Sequence, residues 1–126
     1  MADRVTLALI VARPGPLRNS LQALMMTVPR IEIVAETDNP AALLRMGDAM
    51  QPDIVLLEAG LCQEDVWSAL RTIRGEWSQT RSIVLVEDSL QREKAQAAGA
   101  DMVLIKGYPA GGLVAAIEEL LHSERG

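Results

Sequence analysis

Phenylalanine is absent from these 126 residues, and aromatic side chains are confined to Trp67, Trp77 and Tyr108. A chain so poor in flat rings offers no platform for stacking unpaired bases, which argues against binding single-stranded nucleic acid. Basic residues are scarce as well: 12 Lys and Arg against 17 Asp and Glu give a formal net charge of −5. They are scattered, so no stripe suited to a phosphate backbone is present, and no nucleic-acid contact is expected of this domain. The single cysteine, Cys62, excludes an internal disulfide and cannot build a zinc site alone. With no basic neighbour in sequence it reads as an ordinary thiol. Apolar runs are only strand-sized, so no membrane span is expected. Met1–Arg4 lacks a signal-peptide pattern, and together these absences lead to the expectation of a cytoplasmic protein. Glycine-rich phosphate loops are also missing. Pro14–Pro16 stands where a GxGxxG would follow the first strand, and no GxxxxGK[ST] occurs, which argues against dinucleotide and P-loop nucleotide chemistry; the fold itself is open to a flavin, but the phosphate loop a flavin needs is absent.

What is abundant is aliphatic: hydrophobic residues make up 49% of the chain, enough to bury one core, and disorder is not expected. Short continuous apolar runs read as buried strands at Val5–Val11, Ile31–Ala35, Ile54–Leu57, Ile83–Val86 and Met102–Ile105. Between them lie stretches with helical spacing. Leu17, Leu21, Leu24 and Val28 mark one face. Ala42, Leu43, Met46 and Met50 mark a second, and Val66, Leu70 and Ile73 a third. Leu90–Ala98 is Ala-rich and weakly patterned. Leu113, Ile117, Leu120 and Leu121 mark the last. Pro16 and Pro40 fit first helical turns. Asp38 or Asn39 can cap the second helix, Asp88 with Gln91 resembles a capping box, and Gly99 suits a left-handed C-terminal cap. The Met25–Met26 pair reads as core or helix filling, and the two tryptophans as packing of the third helix or partly exposed residues.

The pattern is a βα unit repeated five times. It predicts an α/β domain with a doubly wound, parallel five-stranded sheet, flavodoxin-like, in the order 2-1-3-4-5. One domain is expected over residues 1–126, with a core from about 4 to 122 and a frayed tail, Ser123–Gly126. In such sheets the site lies beyond the carboxyl ends of the strands. That singles out Ala12–Arg13, Glu58–Ala59, Val86–Asp88 and Lys106–Gly107.

Two segments carry a family resemblance. Gln51–Glu58 (QPDIVLLE) resembles a proline-aspartate pair, an apolar strand and a phosphoryl-accepting Asp. Ala98–Lys106 (AGADMVLIK) resembles an Ala-Gly-Ala-Asp, an apolar strand and a Lys. With Leu9–Val11 before them in order and at matching intervals, the chain from about Val5 to Leu121 resembles a CheY-like response-regulator receiver domain. In that family an Asp takes a phosphoryl group from a partner's phosphohistidine. A Mg²⁺ held by an acidic pair neutralises the incoming charge, and a Lys contacts the phosphoryl oxygens. A hydroxyl residue ending the fourth strand and an aromatic on the fifth follow the phosphate.

Carried across, the acidic pair falls on Ala12 and Arg13, and the acceptor on Glu58. The hydroxyl position falls on Val86 and the aromatic on Val103; only Lys106 is retained. Mg²⁺ wants oxygen ligands, so its binding is expected to be lost and no cofactor is expected. Arg13 and Lys106 instead supply cations for Glu58, whose carboxylate reaches roughly 1.5 Å further than that of Asp. The expected cluster Arg13–Glu58–Lys106 would hold the domain in one conformation. Each member also has a plainer reading: a rim glutamate, a solvated lysine, an arginine pointing to water.

The reading is an atypical, non-enzymatic receiver of a two-component phosphorelay, with no catalytic residue, working by protein contact. The resemblance implies a protein partner: a histidine kinase, an output domain or another regulator. It also implies a possible homodimer through the fourth helix, fifth strand and fifth helix, to which Leu113, Val114, Ile117 and Ala95–Ala98 would contribute. Two alternatives stay open. Glu58 could be a residual phosphoryl acceptor, or Arg13 and Lys106 could hold a small anion in the vacated pocket. Near the site, Asp88 reads as a helix cap and Glu87 as a loop acid; His122 reads as a helix-terminal cation.

Overall fold

A computed structural model describes residues 5–60, 63–105, 107 and 110–122. Five strands alternate with five helices: β1 (Thr6–Val11), α1 (Pro16–Met25), β2 (Ile31–Thr37), α2 (Pro40–Met50), β3 (Ile54–Glu58), α3 (Gln63–Glu76), β4 (Arg81–Val86), α4 (Ser89–Ala98), β5 (Met102–Ile105) and α5 (Ala110–His122). The strands form one sheet in the order β2-β1-β3-β4-β5, every neighbouring pair parallel, as the repeat implied. Lys106, Cys62 and both chain ends lie outside the described residues, as does the side chain of His122.

The apolar runs are continuous because both faces of the central strands are covered. Leu9, Val11, Val55, Leu57, Val84 and Val86 point to one core with α2, α3 and α4. Their neighbours Ala8, Ile10, Ile54, Leu56, Ile83 and Leu85 point to a second core with α1 and α5. β3 is buried along its whole length, whereas the edge strands β2 and β5 stay largely half-buried. An edge strand has a single neighbour, so full burial holds for the middle of the sheet only. β2 and β4 run two residues longer than their apolar cores suggest, to Thr37 and from Arg81. Backbone pairing carries these ends past the hydrophobic pattern.

Local signals set the helix ends. Pro16 and Pro40 open α1 and α2, and Asn39, not Asp38, caps α2 by accepting the Ala41 N–H. Asp88 accepts the Gln91 N–H at 2.9 Å, while the Gln91 side chain accepts the Glu87 N–H at 2.8 Å. The box therefore closes one residue earlier than its usual form. Gly99 ends α4 with φ 101°, a left-handed turn open to glycine.

Several expected surface residues are interior. Leu113 and Ile117 of α5 are fully buried, and Ala95 and Ala98 of α4 are packed in the core. They cannot form a partner face, which leaves half-buried Val114 and exposed Gln96 and Ala97. Met25 is core, but Met26 is 70% exposed. Both tryptophans are buried. Trp77 follows α3 and lays its indole on α2, where a Cβ at Gly47 would stand 1.8 Å from the ring. The indole N–H donates to Asp48 at 3.1 Å.

Candidate functional site

The carboxyl ends of β1, β3 and β4 bring Ala12, Arg13, Glu58, Val86 and Glu87 to one edge of the sheet. Glu58 is the last residue of β3, paired with Leu85, and its alternation continues Ile54 and Leu56 toward α1. It is only 6% exposed. A buried charge requires a partner, and Arg13 is that partner. The Arg13 backbone N–H donates to Glu58 Oε1 at 3.0 Å, its Nε to the same oxygen at 3.5 Å, and its Nη2 to Oε2 at 2.6 Å. One residue thus supplies three donors to both oxygens, in the forked geometry that guanidinium favours. The outer half of Arg13 remains in solvent, with its side chain 59% exposed.

Charge and burial oppose one another here. Burial is the largest single influence on Glu58 and would raise its carboxyl. The Arg13 side-chain hydrogen bond, its backbone N–H and its charge together outweigh burial and hold the group below its ordinary value. Arg13 is pushed up in turn, first by that hydrogen bond, then by the charge of Glu58, with a further contribution from Glu87. Glu87 enters because the groups converge over Gly60. A Cβ there would stand 3.2 Å from Arg13 Nη2 and 3.5 Å from a carboxylate oxygen of both Glu58 and Glu87. The sequence singles out this position within Val86–Asp88 but gives Glu87 no role beyond a loop acid.

The loop that carries Arg13 is held from below as well. Ala12 is fully buried, its N–H bonded to the Thr37 carbonyl at 2.9 Å. Its own carbonyl accepts from Arg18 Nε at 3.1 Å and from Arg18 Nη2. Glu36 receives Arg18 at 3.8 Å and the Gln22 amide. Val86 is buried in the core shared with α3, and Val103 packs half-buried against that core. Across β4 and β5, Val84 stands opposite Val103 and Val86 opposite Ile105. All four are aliphatic, so none of their side chains can hydrogen-bond a phosphoryl oxygen. Lys106 lies outside the described residues.

The magnesium ion that the fold family implies does not fit these residues. Ala12 offers a methyl group, Arg13 a cation, and both oxygens of Glu58 are taken by Arg13. Among the described residues no three His, Cys, Asp or Glu side chains gather as a metal site. Beside the ion pair a cleft of about 330 Å³ opens, lined by Leu17, Leu85, Val86 and Gly107 above Glu58.

Sheet order and strand polarity together define a doubly wound, flavodoxin-like α/β domain. The chain has the CheY-like fold of response-regulator receiver domains. A LuxR-family two-component response regulator from Aurantimonas sp. SI85-9A1 is 26% identical, with a TM-score of 0.83, covering 97% of this chain and 88% of that one. The response regulator domain of Thermotoga maritima CheB is 18% identical with a TM-score of 0.81, covering 97% and 100%. The receiver domain of a NarL response regulator from Mycobacterium tuberculosis is 20% identical with a TM-score of 0.80, covering 96% and 99%. No protein-family model matches the sequence, and no curated protein matches it. Among the described residues no helix is long and apolar enough to cross a membrane.

Proposed function

We infer that this chain is an atypical receiver of a two-component phosphorelay that works by protein–protein contact without being phosphorylated. The observation that carries this reading is the ion pair: the three donors of Arg13 occupy both oxygens of the carboxylate at the acceptor position. Phosphoryl transfer to a carboxylate requires that carboxylate as a free nucleophile, and cations that neutralise the developing charge. Here the nucleophile is engaged, and the metal ligands are a methyl group and a guanidinium. Val86 and Val103 also remove the parts that would respond to a phosphate. The domain is therefore a fixed surface, not an enzyme, and no residue has a catalytic role.

Its partners are proteins of the same signalling chemistry: a histidine kinase, an output domain, another regulator, or a second copy through α4, β5 and α5. A cytoplasmic location goes with this role. The test is incubation of the whole chain with Mg²⁺ and acetyl phosphate, read by intact mass. The mass is expected to stay unchanged, with calorimetry detecting no Mg²⁺ uptake. A gain of one phosphate that disappears in Glu58→Gln would overturn the reading in favour of a residual acceptor.

A further inference from the structure

The ion pair fills only part of the site. The cleft above Glu58 has aliphatic walls, formed by Leu17 of α1 and by Leu85 and Val86 of β4. At about 330 Å³ it lies at the lower end of small-ligand pockets, which begin near 300 Å³, and it accommodates one large side chain. Glu58 and Glu87 line it, and acids outnumber bases along this edge of the sheet. Asp38, Asp65, Glu87 and Asp88 follow β2, β3 and β4 and are all exposed at the carboxyl edge. With Glu58 they make five acids, against Arg13 and the Lys106 that the sequence places after β5. Arg18 is offset by Glu36. The edge is acidic with every one of these bases counted. Leu90, two residues beyond Asp88 in the first turn of α4, is 61% exposed.

We propose that this cleft docks a partner-protein segment presenting one aliphatic side chain flanked by lysine or arginine. The proposal rests on the contact-only reading, since a site that turned over phosphate would have to keep the cleft clear. The aliphatic group enters between Leu17, Leu85 and Val86, and its burial supplies affinity. The flanking cations are drawn to Asp88 and to Glu87, where they compete with the neighbouring guanidinium of Arg13. Such charges act mainly on partner choice and on the rate of encounter.

The test is selection from a random peptide library on the whole chain. Enriched peptides are expected to carry net positive charge around Leu, Ile or Met. Their binding is expected to fall tenfold or more in Glu87→Lys, with the fold verified by circular dichroism, and to weaken as salt rises. Binding is expected to shift the amide signals of Leu17, Gly60, Val86 and Gly107. Enrichment without a basic bias, no enrichment, or shifts confined to another surface would each overturn the proposal. Phosphate uptake from acetyl phosphate tests the contact-only reading separately, so the two failures are distinguishable.

Discussion

The two ends of the sheet use their acids in opposite ways. At the amino edge, Asp53 and Asp101 each stand one residue before a strand and turn back onto its neighbour. Asp53 Oδ2 accepts the Leu7 N–H at 2.8 Å, and Asp101 Oδ2 accepts the Ser82 N–H at 2.8 Å. Their own backbone N–H groups donate to the Leu7 and Ser82 carbonyls. Each carboxylate thereby begins a strand pairing. At the carboxyl edge, Glu58 serves no backbone ladder; it accepts from Arg13, a loop residue. Asp53 and Asp101 belong to the two segments that resemble receiver domains, and their visible contacts are architectural. The fold and its chemistry are written at opposite edges, so one can be rewritten while the other stands.

This contrast predicts that substitutions at the amino edge cost stability and substitutions at the carboxyl edge cost little. The largest effect is expected from Trp77→Ala, which empties the contact between α2 and α3. Truncating a buried Trp costs about 3–5 kcal/mol, a large share of the ~5–15 kcal/mol that a domain holds. Urea unfolding followed by circular dichroism measures it. Gly47→Ala approaches the same ring from the other side, with its new methyl 1.8 Å from the indole if nothing moves. Overpacking of this kind costs about 1–3 kcal/mol. Asp53→Ala strips the Leu7 N–H of its acceptor inside the sheet, for a loss of about 1–3 kcal/mol. If Asp53→Ala proved neutral while Glu58→Gln unfolded the chain, the contrast between the two edges would be wrong.

Much of this architecture was legible in the residues. A parallel sheet followed from five apolar runs alternating with helical spacing, because parallel strands need crossovers and right-handed ones; its order came from likeness to the flavodoxin-like pattern. Pro16, the Asp38–Asn39 pair, Asp88 and Gly99 marked helix ends because each has a local backbone reason to be there, and the structure chose Asn39 from the pair. What could not be read depends on contacts far apart in sequence. Gly47 looks like a weak point in a helix until Trp77, thirty residues later, is laid over it. Glu87 is an ordinary loop acid until β4 is set beside β3 and Gly60 lets the charges meet. Leu113 and Ile117 share one helical stripe in the sequence, which does not say whether that stripe meets the sheet or a partner; packing assigns it to the core.

The smallest effect concerns acid. Glu58 is held below its ordinary value in the folded chain, so folding favours its ionised form. Its contribution to stability is fully present above the unfolded carboxyl value, near 4.3. It is lost as pH falls through the lower folded value. Glu58→Gln keeps the shape and removes the charge. Urea midpoints measured from pH 6 to pH 3 are expected to decline less steeply in the variant than in the parent, with the gap between them closing toward the acid end. At neutral pH the variant is expected to lose less than Asp53→Ala does, because the outer half of Arg13 already sits in water, where exposed ion pairs are weak. A gap that widened toward acid would mean that burial, not Arg13, governs the carboxylate, and that the ion pair does not hold this edge of the domain.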